Sequence, residues 1–129
     1  MYNNQMNPYQ KYKQQSVMTM TRGEVLNQLF DEVIKQLNGS LVYLEEKDYP
    51  GANNALLKAQ KIIGYLKSSL DPQYEVSNSL DAMYEYFGYR IMQANVKKES
   101  EPINEIIPMI TELKDTFATV DRSVRMMQN

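Results

Sequence analysis

The chain has 129 residues, enough for one domain with its own core, and its 43% hydrophobic and 23% charged residues are the balance of a globular protein. With Lys+Arg 14 against Asp+Glu 16, the net charge of -2 gives little attraction for phosphate backbones or anionic lipid, so neither nucleic-acid binding nor membrane insertion is expected. There is no cysteine, histidine or tryptophan, which excludes disulfides, thiolate and imidazole metal sites, histidine-activated nucleophiles and histidine pH switches. No apolar run is long enough to span a bilayer, and Met1-Tyr2-Asn3-Asn4-Gln5 carries neither a basic nor an apolar leader, so the expected location is the cytoplasm.

Residues 1–21 form an arm rich in Asn and Gln, without Asp or Glu, whose larger apolar groups include Tyr2, Tyr9, Tyr12, Val17, Met18 and Met20. Such a segment is too polar to build a core but has enough aromatic surface to dock on one. Thr21-Arg22-Gly23-Glu24 has the spacing of a capping box, so a first helix is expected over about 22–46. Its stripe is Leu26, Leu29, Phe30, Val33, Leu37, Leu41 and Leu44, with Gly39 a soft spot costing about 1 kcal/mol against Ala.

Asp48 is the expected cap of a second helix over about 49–70, whose first turn tolerates Pro50 because an early N–H has no intrahelical partner. Its stripe is Ala52, Ala55, Leu56, Ala59, Ile62, Ile63, Leu66 and Leu70, and the alanines let a neighbouring helix come close. Leu70-Asp71-Pro72 ends it, since a residue before proline leaves the helical region. A third helix is expected over about 76–98 with Val76, Leu80, Met83, Tyr84, Phe87, Ile91 and Ala94 inward. A fourth, over about 101–124, has Ile103, Ile106, Ile107, Ile110, Leu113, Phe117, Val120 and Val124 as its stripe. Pro108 interrupts it off the stripe, where a bend on the solvent side is expected and not a break.

Four amphipathic helices with short connections predict an all-α fold: an antiparallel, up-down four-helix bundle over 22–129, with an N-terminal arm long enough for a short extra helix. A di-iron site in such a bundle needs Glu-x-x-His pairs, and there is no histidine. No calcium loop or phosphate-cradling glycine loop is present, so no catalytic, cofactor or metal residue is assigned. Arg90, beside the inward stripe of the third helix, could hold an anion in a small enzyme; the simpler reading is a stem laid on the core edge and a head salt-bridged to a neighbour. Lys97-Lys98, the one adjacent basic pair, fits a helix C-terminus.

Ten Tyr and nine Met beside three Phe exceed what a self-contained bundle uses. Tyr43, Leu57, Tyr65, Tyr86, Tyr89, Met92, Val96 and Met109 fall off the stripes, and such groups suit a groove for amphipathic helices. Scattered single apolar residues are also ordinary, so the pattern alone leaves both readings open.

Three motifs resemble one family. Asn7-Pro8-Tyr9-Gln10-Lys11-Tyr12, followed by Val17, Thr19 and Leu29-Phe30-Asp31, is similar to the Asn-Pro-Tyr-x-x-Tyr opening of the flagellin-specific export chaperones, the FliS family. The second is Leu57-Lys58-Ala59-Gln60-Lys61-Ile62-Ile63 ending at Ser69-Leu70-Asp71, and the third is Met83-Tyr84-Glu85-Tyr86 with Tyr89-Arg90, running into Ala94-Asn95-Val96-Lys97-Lys98. The sequence departs from the family pattern at Met20, Arg22, Glu32, Pro108 and Phe117.

The resemblance implies a cytoplasmic, non-enzymatic chaperone that binds the C-terminal segment of flagellin, prevents its early polymerisation and assists delivery to the flagellar export apparatus. The export gate is then a further candidate partner, no cofactor is required, and the chaperone itself is a monomer or weak homodimer. From motif matches and the off-stripe pattern, the residues assigned to the flagellin or arm groove are Asn7, Tyr9, Tyr12, Val17, Ile63, Tyr86, Tyr89, Asn95 and Val96. An arm placed in that groove would compete with the client. The rival reading is a helical adaptor that binds a folded partner on a rigid surface.

Overall fold

The computed structural model describes Pro8 and residues 22–127, and within them the chain folds as four helices. They are α1 (Arg22–Glu45), α2 (Tyr49–Ser68), α3 (Val76–Lys97) and α4 (Glu101–Met127). α1 packs on α2 and α4, and α3 packs on the same two helices, so neighbours in sequence are neighbours in space and the ring closes between first and last. No strand occurs among the described residues, as the shortage of turn and β signals implied. Thr21, which opens the expected capping box, and the arm apart from Pro8 lie outside the described residues.

Local chemistry sets the helix ends. Asp48 precedes α2 with its carboxylate accepting from the Gly51 N–H at 3.0 Å, and Pro50 sits in the first turn, where its missing donor costs nothing. Gly51 packs closely under the Tyr43 ring of α1: a Cβ there would stand 2.7 Å from Cδ1 of Tyr43. α3 ends at Lys98 in the left-handed region, φ 53° and ψ 47°. Lys98 Nζ donates to the Asn95 side-chain oxygen at 2.8 Å, and Lys97 occupies the last turn, so this basic pair serves the negative end of a helix. α4 runs unbroken through Pro108, which is exposed, and continues to Met127, beyond the end expected at 124.

One core joins all four helices. Phe30, Val33 and Leu37 of α1, Leu56, Ala59, Ile63 and Leu66 of α2, Tyr84, Phe87 and Ile91 of α3 and Ile103, Ile106 and Ile110 of α4 are buried together. Ala52, Ala55 and Ala59 are also buried, the small stripe that permits the close approach of α2. Phe30 and Phe117 stack across α1 and α4 with ring centroids 5.7 Å apart. Two expectations at helix ends are corrected. Val76 is 60% exposed, and the inward position passes to Ser77, whose hydroxyl donates to the Asp71 carbonyl. Val120 is 54% exposed and is not part of the core.

Phe30→Ala should destabilise the bundle by about 3–5 kcal/mol, measured by urea unfolding, since a fully buried ring and its stacking partner are lost together. Burial pushes the Tyr84 phenol up to about 12. The folded state therefore holds this proton more tightly than an unfolded chain, with its ordinary value of about 10. The contribution is complete below the unfolded value and is lost as pH rises through the folded one. Alkaline titrations of melting temperature should fall more steeply over that window for the native chain than for Tyr84→Phe.

Candidate functional site

The eight apolar residues off the stripes all face solvent: Tyr43, Leu57, Tyr65, Tyr86, Tyr89, Met92, Val96 and Met109. Tyr65 lines a hollow of about 440 Å³ between α1 and α2, and Tyr89 and Met92 line another at the seam between α2 and α3. There Ile63 and Tyr84 form the floor of an open hollow of about 330 Å³, with Gly64 and Gly88 on its two sides and Tyr89 and Met92 on the α3 wall. Leu57, 49% exposed, stands two turns before Gly64 on α2, and Val96, 74% exposed, extends the α3 wall by one turn.

Polar contacts close this seam at both ends. At one end the Asn95 amide donates to the Asn53 side-chain oxygen at 2.9 Å. At the other, Lys67 lies 3.0 Å from Asp81 and 3.5 Å from Glu85. The hydrogen bond to Asp81 is the main reason the Lys67 ammonium is held above its ordinary pKa. The two contacts stand about 21 Å apart along α2, and the hollow between them, the α2–α3 trough, is lined from Gln60 to Lys67 on α2 and from Tyr84 to Met92 on α3. Between its ends the walls have no interhelical hydrogen bond or ion pair among the described residues, and neither glycine's missing Cβ would meet an atom within 4 Å.

The α3–α4 seam is built differently. Arg90 reaches from α3 with Nε on Glu105 at 2.7 Å and Nη2 on Glu101 at 3.0 Å, while Tyr86 donates its phenol proton to Glu105 at 2.8 Å. Only 16% of the Arg90 side chain is accessible, so its stem lies on the core edge while its head is paired, the simpler of the two readings of this residue. Hydrogen bonding to Tyr86, and next to Arg90, holds the Glu105 carboxyl below the usual carboxylate range; the same bond raises the Tyr86 phenol. A hollow of about 710 Å³ at the α1–α4 end is larger than the α2–α3 trough, but Glu45, Lys98, Glu99 and Glu101 line it, and none of the off-stripe residues does.

Of the residues assigned from sequence, Tyr89 and Val96 stand exposed on the outer side of α3 next to the trough. Ile63 is 2% exposed and belongs to the core, reaching the trough only as floor. Asn95 is half-buried and engaged in the clasp to Asn53. Tyr86 turns to the opposite seam, where Glu105 holds it. Asn7, Tyr9, Tyr12 and Val17 lie outside the described residues. Gly64, Gly88 and Met92 were not assigned; their spacing in sequence carries no sign that they meet across one seam.

The model of the family described as "Flagellar protein FliS" matches residues 5–124. The chain belongs to this family. A relative named "Flagellar secretion chaperone FliS" from Bacillus subtilis is 34% identical over 119 residues, covering 92% of this chain and 90% of the relative. One of the same name from Salmonella typhimurium is 27% identical over 108 residues, covering 81% and 80%. Among solved structures, one titled "Crystal structure of flagellar chaperone from bacteria" superposes with a TM-score of 0.76 at 20% identity, covering 89% of this chain and 95% of that one, and so shares the fold. No described helix is long and apolar enough to cross a membrane.

Glu105→Gln should lower the melting temperature at neutral pH by weakening the clasp of Arg90 and Tyr86. Because the folded carboxyl titrates lower than an unfolded one, its contribution is present above the unfolded pKa and is lost as pH falls through the folded one. The melting curves of the variant and the native chain should therefore converge in acid.

Proposed function

We infer that this protein, a flagellar export chaperone by family, shields the C-terminal helical segment of flagellin by laying it in the α2–α3 trough. The observation that carries the reading is the exposed apolar rim of Leu57, Tyr89, Met92 and Val96 around a floor that needs no partner for its own stability. A segment without stable structure of its own can gain helix as it buries an apolar face there, and its burial keeps that face from assembling early. Tyrosine and methionine suit the task, since they give large contact area and adapt to the shape of the client.

The chaperone needs no catalytic step and no cofactor in this reading, and it works in the cytoplasm, handing its client to the export apparatus and its gate. Tyr89 and Val96 contact the client; Asn95 and Ile63 hold the trough in shape beneath it. The arm residues Asn7, Tyr9, Tyr12 and Val17 are assigned to the same surface by motif, as its occupants when the client is absent.

A far-ultraviolet circular dichroism titration with the flagellin C-terminal segment, carrying an added tryptophan reporter, tests this. Saturable binding with helicity above the sum of the parts is expected, and Tyr89→Ala should weaken it by about 10-fold. Binding without a gain of helicity, or to a folded partner alone, would favour an adaptor.

A further inference from the structure

The Arg90 guanidinium does more than clasp α3 to α4. Nε and Nη2 are taken by Glu105 and Glu101, and Nη1 donates to the Gln93 side-chain oxygen at 2.7 Å. The Gln93 amide in turn donates to the Tyr89 hydroxyl at 3.0 Å. Tyr89, Arg90 and Gln93 stand within little more than one turn of α3, at the three- and four-residue spacings that bring side chains together on a helix. A continuous chain of hydrogen bonds therefore starts at the two glutamates of α4, passes through Arg90 and Gln93, and ends at the wall of the α2–α3 trough.

Chemistry fixes the direction of each bond in this chain. A guanidinium only donates, so the Gln93 carbonyl oxygen must face Arg90 and its amide nitrogen must face Tyr89. Gln93 is half-buried and the Arg90 side chain is only 16% accessible, so packing as well as charge holds both. Tyr89 is 51% exposed, and packing alone holds its ring less firmly. Of the six tyrosines exposed among the described residues, only Tyr86 and Tyr89 have a hydroxyl bonded to another described side chain, and both bonds lead to Arg90, through Glu105 and Gln93. Tyr43, Tyr49, Tyr65 and Tyr74 have no such bond among the described residues, so an anchored hydroxyl is not a general property of surface tyrosines in this bundle.

We propose that Arg90 and Gln93 are positioning residues for client binding, which hold the Tyr89 ring on the trough wall by its hydroxyl before the client arrives. The inference rests on Tyr89 contacting the client in the trough and adds what prepares that contact. A ring already fixed loses less freedom when a helix is laid on it, so more of its contact counts towards affinity. The α3–α4 seam thereby acts on the trough from the other side of α3, through residues that need not touch the client.

The test uses the full chain in two measurements. In the first, 3-fluorotyrosine at position 89 reports on the ring in the free chaperone by fluorine NMR. Gln93→Ala should narrow its line, because the ring moves more freely. Arg90→Lys should do the same, since a compact ammonium lacks the planar fork that reaches Gln93 and both glutamates. Gln93→Glu, whose carboxylate can accept from Arg90 and from the hydroxyl together, should keep the line broad. Lys114→Ala, which breaks the pair to Asp31 on the α1–α4 seam, should leave it unchanged. In the second, the flagellin C-terminal segment is titrated. Gln93→Ala should weaken binding by about 4-fold, and Gln93→Glu should bind like the native chain. In a Tyr89→Phe background, Gln93→Ala should cost nothing further.

An unchanged fluorine line in Gln93→Ala and Arg90→Lys would overturn the anchor, whatever the client does. A narrowed line with undiminished affinity, in a chaperone that Tyr89→Ala still weakens, would show that order in the ring does not serve binding, and the proposal falls. Equal losses from Gln93→Ala with and without the Tyr89 hydroxyl would mean that Gln93 acts on the fold or meets the client itself, which also overturns it. Native affinity in Tyr89→Ala would remove Tyr89 from the client site; the reading beneath the proposal then fails and the proposal with it, while the fluorine line still reports whether the anchor exists.

Discussion

Each helix of this bundle buries only a narrow stripe, so a side chain one step further round is left in water however apolar it is. Leu56 is fully buried and Leu57 is 49% exposed; Ile91 is fully buried and Met92 is 39% exposed. A helix advances 100° per residue, and a four-helix core admits an arc not much wider than that from each member. Apolar residues beyond the arc add nothing to the core. At the trough Tyr89 and Met92 contribute to a second, partly apolar surface shaped by the first, which a monomer gains nothing by exposing.

Polar pairs cross the α1–α4 and α3–α4 seams, while at the α2–α3 seam they stand only towards the ends. Lys114 pairs with Asp31 across α1 and α4, and Arg90 with Glu101 and Glu105 across α3 and α4. Between α2 and α3 the pairs stand at the ends, Asn53 with Asn95 and Lys67 with Asp81 and Glu85. Surface pairs of this kind contribute about 0–1 kcal/mol each, too little to hold a bundle whose stability comes from its core. Their consequence is geometric. They fix the register of α3 against its neighbours and keep the two glycines opposite each other, so that the trough exists before anything enters it.

Much of this was legible in the sequence where a local rule decides the outcome. The three-and-four spacing of Phe30, Val33 and Leu37 fixes a helix face without reference to anything distant, and Asp48 with Pro50 marks a helix start by the chemistry of the first turn. Helix ends were less legible. Val76 looks inward by composition, yet the serine after it takes the inner place because its hydroxyl can satisfy the Asp71 carbonyl, which an isopropyl group cannot. Arg90 was readable as a paired residue, but its partners Glu101 and Glu105 were not, since they come from another helix. The trough depends on the same kind of distant placement. Gly64 and Gly88 are isolated glycines in sequence, and only the packing of α2 on α3 makes them one feature; Ile63 and Asn95, singled out by motif, are explained by the core and the clasp beneath it.

A helix that folds as it docks must offset the loss of its own freedom, about 1–2 kcal/mol per residue for the backbone alone. For a docked helix of roughly four turns, that cost is on the order of 15–30 kcal/mol. Four exposed side chains and a shallow floor cannot offset it by apolar contact alone, at about 1.5–3 kcal/mol for a fully buried large side chain. The helix's own hydrogen bonds, further contacts beyond the trough and any helicity already present in the free segment have to supply the remainder. Binding of this kind is a small difference between large terms. For an export chaperone that balance is functional: it lets a long apolar segment be covered and still released, because loss of contact at one end returns conformational freedom to the client and favours departure of the rest.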